Sequence, residues 1–152
     1  MTVTVDILGL IQGLGMALLV ALVVGIVVMF WKKVRGFIAG RKYDPSDRAG
    51  LQRRWAEVEE MIKTPGEMSA KLAVIEADKL LDHALKALAF PGNTLGERLR
   101  FAQYKYPDLR NVWWAHKVRN QLAHEASYHL DRGMAKKAVA EFRRALSRLG
   151  AI

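Results

Sequence analysis

The residues best suited to chemistry lie in the segment 108–130, which reads DLRNVWWAHKVRNQLAHEASYHL. Steps of four place three polar side chains on one side of the helix that this pattern predicts: His116, Asn120 and His124. Basic and polar residues flank them, namely Lys117, Arg119 and Gln121. A histidine can transfer a proton near neutral pH, and an arginine can bind phosphate oxygens through two hydrogen bonds. The combination favours chemistry on a phosphodiester.

Several other chemistries are excluded by composition and spacing. The 152-residue chain has no cysteine, which excludes a disulfide framework, a thiolate zinc site and a cysteine nucleophile. The run His124-Glu125 to His129 resembles the HExxH zinc motif but has one residue too many, so the two imidazoles diverge by about 140° on one helix. No glycine-rich phosphate loop follows a strand. We therefore expect neither a metal site nor a cofactor.

Beyond Pro45, the spacing of apolar residues predicts helices throughout and no strands. Thr64 with Glu67, and Thr94 with Glu97, resemble capping boxes, and Asp108 can cap the helix that carries the polar residues. The predicted fold class is all-α, a bundle of four main helices and one short helix. The predicted helices cover residues 46–63, 65 to about 90, 94 to about 104, 109–130 and 133–149.

Two sets of side chains receive structural rather than chemical interpretations. In the helix over 109–130, we expect a buried apolar stripe made of Ala115, Val118, Leu122, Ala126 and Leu130. Acidic residues interspersed with Lys and Arg predict solvated faces, and they are Glu57, Glu59, Glu60, Glu76, Asp78 and Asp82. His83 is expected to be structural or exposed to solvent.

The N-terminal part of the chain has a different composition. Residues 1–31 carry one charge, Asp6, and the other 121 residues carry 24 basic and 14 acidic side chains, a net charge of +10. Residues 7–31 form an apolar run with Gln12 as the only strongly polar side chain. As a helix this run would span about 37 Å, enough to cross a hydrocarbon core of about 30 Å. The sequence therefore predicts a single transmembrane anchor over 1–31, a basic connector over 32–45 and a helical domain over 46–152.

The orientation of this predicted anchor follows from its flanks. No basic residue precedes it, and five basic residues follow it closely, so the positive-inside rule places the N-terminus outside and the C-terminal domain in the cytoplasm. The same residues would lie against anionic headgroups. They are Lys32, Lys33, Arg35, Arg41 and Lys42.

A second pattern within the apolar run predicts contact between two copies of the helix. Small residues recur at every fourth position, which lets two helix backbones approach closely in a right-handed crossing. The stripe consists of Gly9, Gly13, Ala17, Ala21 and Gly25. The alternative is that glycine and alanine are simply frequent in membrane helices.

The run RNQLAH, from Arg119 to His124, resembles the signature of the HEPN superfamily, which is an arginine, a polar residue and a histidine a few positions later. The layout of residues 69–149 is similar to small bacterial HEPN-like proteins. The resemblance implies a HEPN-like bundle in which Arg119 and His124 form the catalytic pair of a metal-independent endoribonuclease and Asn120 orients them. It also implies a homodimer, with the site where two motifs meet.

Two functions remain open at this point. One is a membrane-anchored toxin or defence effector that binds RNA and cleaves it, with an antitoxin as its protein partner and RNA contacts by His116, Lys117 and Gln121. The other is a noncatalytic, membrane-tethered module that binds a protein partner or anionic lipid, because many members of the superfamily have lost catalysis. The net charge of +10 suits both RNA and anionic lipid and does not separate them.

Overall fold

The structure, a computed structural model, describes residues 7–38, 43–125 and 127–152. It divides into two compact units, Met1–Gly40 and Arg41–Ile152. All regular elements of the described residues are helical, which confirms the all-α prediction. In chain order the elements are α1 (Ile7–Ile38), α2 (Pro45–Lys63), α3 (Glu67–Ala87), α4 (Leu95–Lys105), a 3₁₀ helix (Pro107–Asn111), α5 (Val112–His124) and α6 (Arg132–Arg148).

The first unit contains α1, and it corrects the prediction of a membrane anchor. Within the described part of the chain, no helix combines the length and apolar character that crossing a membrane requires. The predicted transmembrane helix is therefore wrong. The fold class that included it and the single-pass localisation with a cytoplasmic domain are wrong with it.

The residues assigned to the membrane surface and to helix pairing lie in or near α1. The helix continues to Ile38, so Lys32, Lys33 and Arg35 belong to it rather than to a connector. Arg41 and Lys42 lie outside the described residues. The small-residue stripe is helical as expected, and its members with described surroundings are exposed: Gly13, Ala17, Ala21 and Gly25. Gly9 lies in the same helix.

The second unit is built around α3. This helix packs against α2, α4, α5 and α6, and it has the longest run of buried positions. Alanines at 70, 73, 77 and 84 let the neighbouring helices approach, and the leucines at 80, 81 and 85 fill the core between them. Phe142 of α6 is fully buried in the same cluster. Tyr43 also packs against this core, and its hydroxyl donates to the Ala84 carbonyl at 3.2 Å.

The starts of α3 and α4 test the two capping boxes predicted from sequence. Thr94 caps α4, because its hydroxyl oxygen accepts from the Glu97 amide at 3.2 Å, and the Glu97 carboxylate accepts from the Asn93 amide at 2.6 Å. That predicted capping box is confirmed. The one predicted at Thr64 is wrong, because α3 begins after Gly66, whose φ of 117° suits glycine. The Thr64 hydroxyl instead donates to the Glu60 carbonyl at the end of α2.

The helix that carries the polar residues is shorter than the predicted 109–130. It begins after a 3₁₀ turn and ends at His124, where the next segment turns through a hydrogen bond from the Tyr128 amide to the Glu125 carbonyl. The Leu130 amide donates to the Glu67 side chain at 3.3 Å rather than continuing the helix. Leu130 is still buried, as predicted. Apolar residues therefore keep their helical spacing beyond the end of α5, although the Leu130 amide bonds to a side chain of α3 and not within a helix.

The predicted apolar stripe of this helix is largely confirmed. Ala115 and Val118 are buried against the core, and Leu122 is partly buried. Ala126 lies outside the described residues. Asp108 does not cap α5 and instead forms an exposed ion pair with Arg148, with its carboxylate 2.9 Å from Nε. On its other side, the polar residues of α5 face α3 and the start of α4.

Candidate functional site

A cavity of about 660 Å³ lies beside the polar side of α5. It is lined by Asp78, Asp82 and His83 from α3, by residues 93–96 at the start of α4, and by three residues of α5. Those three are His116, Arg119 and Asn120, all named by the sequence as candidates for chemistry. The structure thus brings three of the six predicted polar residues of this helix to one cavity, within a single compact unit.

Asp78 is the centre of the polar contacts in this cavity. Its side chain is only 5% exposed, and Oδ1 lies 2.6 Å from Nδ1 of His116. Its Oδ2 lies 3.1 Å from Nε of Arg119. This Nε is buried, and its geometry with Oδ2 is that of an ion pair rather than a hydrogen bond. One carboxylate therefore holds both an imidazole and a guanidinium at the cavity wall.

Asn120 completes a closed ring with these three residues. Its Oδ1 accepts from Nη1 of Arg119 at 3.2 Å, and its Nδ2 lies 3.3 Å from Nε2 of His116. The ring runs from Asp78 to His116, on to Asn120, to Arg119 and back to Asp78. Because each member contacts two others, the side chains support one another's orientation. These four side chains form the Asp78 ring.

The burial of Asp78 contradicts the prediction that it lies on a solvated face. Asp78 follows Val74 by four residues and precedes Leu81 by three, so it occupies the same side of α3 as these buried residues. That position is a signal the sequence carried, since a carboxylate on the apolar side of a helix needs a partner. Asp82, one turn further along, is likewise only partly exposed.

A second ion-paired cluster, also missed by the sequence, forms the neighbouring wall. Arg98 of α4 is 6% exposed, and its Nη1 lies 2.6 Å from Oδ1 of Asp82. Its Nη2 donates to the Asn93 carbonyl at 3.3 Å. Lys86 pairs with the other oxygen of Asp82 at 2.6 Å. Arg98 therefore ties the loop before α4, which contributes Asn93 to the cavity lining, to Asp82 of α3.

The electrostatic character of the cavity is set by more cations than carboxylates. Two acidic side chains line it, Asp78 and Asp82, and both are already paired. Four basic side chains line it: Arg54, Lys79, Lys86 and Arg119. Glu76, just outside, pairs with Lys79 and approaches Arg54 and so offsets part of this charge. The remaining positive excess favours an anionic ligand.

His116 is further held by its packing. The edge of the Trp113 ring lies against the imidazole, with the ring centroids 6.2 Å apart. Gly96 lies close to both, since a Cβ there would be 3.6 Å from the Trp113 ring and 3.9 Å from Nε2 of His116. The imidazole therefore occupies one fixed place between α3, α4 and Trp113.

Other predicted site residues lie outside this arrangement. His124 is the last residue of α5, exposed to solvent and absent from the cavity lining. It lies five positions after Arg119, which places the two side chains about 140° apart around the helix. Lys117 is exposed and Gln121 partly exposed, and neither lines the cavity. His83, for which the sequence suggested no chemistry, is exposed and does line it.

The HExxH-like run also separates in the structure. His124 ends α5, whereas His129 lies beyond the helix and pairs with Glu67, Nδ1 to Oε2, at 3.0 Å. Among the residues that the structure describes, no group of three or more metal-ligating side chains is placed to hold an ion.

No family model, curated protein or solved structure matches this chain. The site is consequently defined by its own geometry, which places a fixed guanidinium and a fixed imidazole on the wall of a cationic cavity. Membership of the HEPN superfamily stays a prediction from the RNQLAH run.

Proposed function

We propose that residues 43–152 form a HEPN-like RNA-binding domain that cleaves RNA at the cavity beside α5 without a metal ion. The observation that carries the proposal is the position of Arg119, whose guanidinium is held by Asp78 and Asn120 at the cavity wall. An arginine fixed in this way can bind phosphate oxygens and stabilise the charge that develops on them during transfer. The toxin or defence type is the expected biological role, with an antitoxin as protein partner.

Two further features support an RNA ligand. Residues 43–152 carry 19 basic and 14 acidic side chains, a net charge of +5, and the cavity lining shares this sign. The cavity is open and large enough for a phosphate with its flanking ribose. The RNQLAH run adds the resemblance to a superfamily of metal-independent ribonucleases, which use the ribose 2′-oxygen as the nucleophile.

The position of His124 limits how this residue can take part. Because it lies outside the cavity of its own chain, it could reach a scissile phosphate only beside the Arg119 of a second chain. The proposal therefore includes a homodimer if His124 is the proton-transfer group. Sedimentation of the full-length chain measures this association directly.

Binding without cleavage is the second candidate function, and the same observation favours it. A cavity with a fixed Arg119 but without His124 suits a noncatalytic module that binds an anionic partner. This module would bind RNA with an affinity that falls as salt rises, and it would leave the RNA intact.

The experiment that tests the proposal uses the full-length chain and a labelled single-stranded RNA in the presence of EDTA. We expect internal cleavage that yields a 2′,3′-cyclic phosphate and a 5′-hydroxyl, and no cleavage where the ribose lacks its 2′-hydroxyl. Arg119→Ala should lower the rate by about 100-fold, as loss of one charge-stabilising donor does in other enzymes. The matched control is Arg53→Ala on α2, an exposed arginine away from the cavity.

The outcomes separate the two candidates. Intact RNA that is nevertheless bound, with binding lost in Arg119→Ala, would establish the noncatalytic module. Neither binding nor cleavage would refute both. Equal cleavage by Arg119→Ala and Arg53→Ala, with both folded by circular dichroism, would show that any activity lies elsewhere.

A further inference from the structure

His116 is the imidazole that the structure holds at the cavity, and it is not part of the RNQLAH run. Its side chain is 13% exposed, and it lines the cavity beside the Asp78 carboxylate. We propose that His116, rather than His124, transfers the proton during RNA cleavage, and that Asp78 is its positioning residue. This inference rests on the proposed function and identifies the proton-transfer residue of that site.

The contacts around His116 define which ring nitrogen carries hydrogen. The Asp78 carboxylate only accepts hydrogen bonds, so Nδ1 at 2.6 Å from Oδ1 is the N–H donor. In a neutral imidazole, Nε2 is then a hydrogen-bond acceptor. The buried carboxylate thus directs the basic nitrogen of the ring away from α3.

The orientation of Asn120 agrees with this assignment. Its Oδ1 accepts from Nη1 of Arg119, so its Nδ2 is the end that faces Nε2 of His116 and donates to it. At 3.3 Å this is the longest contact of the Asp78 ring. A substrate hydroxyl can therefore replace Asn120 at Nε2 while the shorter contacts to Asp78 persist.

Arg119 lies close enough to act on the same phosphate as His116. Both residues contact the same Asp78 carboxylate through different oxygens, and both line the cavity. They are three residues apart on α5, which places them on neighbouring positions of one helix face. By contrast, His124 is exposed at the helix end and has no place in this ring.

The cleavage step can be written with these groups alone. Nε2 of His116 takes the proton of the ribose 2′-hydroxyl, and the 2′-oxygen forms a bond to the adjacent phosphorus. The bond from phosphorus to the 5′-oxygen breaks, and that oxygen takes its electron pair and a proton from water. The hydroxide left behind is neutralised by the proton on His116, which restores the imidazole. Arg119 stabilises the charge on the phosphate oxygens during transfer.

The test compares three histidines in the full-length chain with single-stranded RNA in EDTA. We expect His116→Ala to lower the cleavage rate by about 100-fold or more, as loss of a general base does. His124→Ala should stay within about threefold of the unsubstituted chain. His129→Ala is the matched control, since His129 is an exposed histidine that does not line the cavity.

Imidazole rescue distinguishes a proton-transfer role from a structural one. Imidazole added to folded His116→Ala can enter the vacated space and take up the proton, so we expect it to restore cleavage at least tenfold. Asp78→Asn should lower kcat by about 10- to 100-fold through His116 and raise KM by a smaller factor, because the same carboxylate also holds Arg119. Circular dichroism of each variant reports the folded fraction, to which the rates are normalised.

The results that overturn this inference differ from those that overturn the proposed function. If the unsubstituted chain cleaves RNA, His124→Ala abolishes cleavage and folded His116→Ala does not, His116 is not the proton-transfer residue and the proposed function stands. Loss of cleavage in His116→Ala without imidazole rescue would assign His116 a structural role. A chain that cleaves no RNA overturns the proposed function, and this inference with it.

Discussion

Helix α3 forms two carboxylate–histidine pairs with the chain around α5, and the pairs differ in distance and in burial. Asp78 holds His116 at 2.6 Å with side-chain exposures of 5% and 13%. Glu67 holds His129 at 3.0 Å with exposures of 38% and 80%. The two acids are eleven residues apart, so they lie on nearly the same face of α3, about 16 Å from each other.

The difference between the pairs shows that burial distinguishes a pair at a candidate site from a pair that only holds two chain segments together. Asp78 lies among buried residues such as Val74 and Leu81, where a carboxylate has a desolvation cost that a leucine would not have. Its partners line a cavity. Glu67 instead accepts from the Leu130 amide and so fastens the segment that follows α5 to the start of α3. A carboxylate–histidine pair therefore lines the cavity at Asp78, whereas at Glu67 it holds the segment after α5 in place.

The largest expected effect follows from removing the buried acid. Asp78→Ala should lower the free energy of unfolding by about 3 kcal/mol, because it removes the buried carboxylate that pairs with both His116 and Arg119. Urea unfolding followed by tryptophan fluorescence measures the change. Glu67→Ala is the matched control on the same helix and should change stability much less. Equal losses in the two variants would show that burial does not distinguish the pairs.

A smaller effect on stability is expected at α4, whose first residues line the cavity. Thr94→Ala should cost about 1 kcal/mol, since Thr94 caps α4, the helix that carries Arg98 against Asp82. Thr64→Ala should cost less, because its exposed hydroxyl donates to the Glu60 carbonyl and caps no helix N-terminus. Thermal unfolding of both variants ranks them. A larger loss of stability in Thr64→Ala than in Thr94→Ala would favour the capping box predicted at Thr64.

Much of the helical layout could be predicted from sequence because periodicity and breakers act locally. The predicted spans 46–63 and 133–149 match α2 and α6 to within a residue at each end. The end of α5 could not be predicted, because apolar spacing continues to Leu130 while its amide bonds to Glu67, a contact across 63 positions. The apolar composition of 7–31 favoured a membrane anchor that the described structure does not support.

The candidate site was predictable in part, for a related reason. Spacing on one helix placed His116 and Asn120 together, and the structure brings both to the cavity with Arg119. His124 also followed the spacing of four, but no acid of α3 lies beneath it in the way that Asp78 lies beneath His116. Sequence periodicity predicts which side of a helix a residue occupies, but it does not predict which residue of another helix that side chain will contact. The Asp78 ring therefore depends on tertiary packing that no single helix pattern contains.

The smallest expected effect concerns the exposed pair and can be measured as a pKa. A hydrogen bond from Lys71, at 2.9 Å, together with the Leu130 amide and then the His129 charge, holds the pKa of Glu67 below its ordinary value. Lys71→Ala should therefore raise this pKa more than His129→Ala does, by carbon-detected NMR titration. Since the pKa is lowered by folding, the stabilisation is present above the unfolded-state value and is lost as pH falls through the folded-state pKa. A larger shift in His129→Ala would mean that the exposed histidine, like its buried counterpart, is the principal partner of its acid.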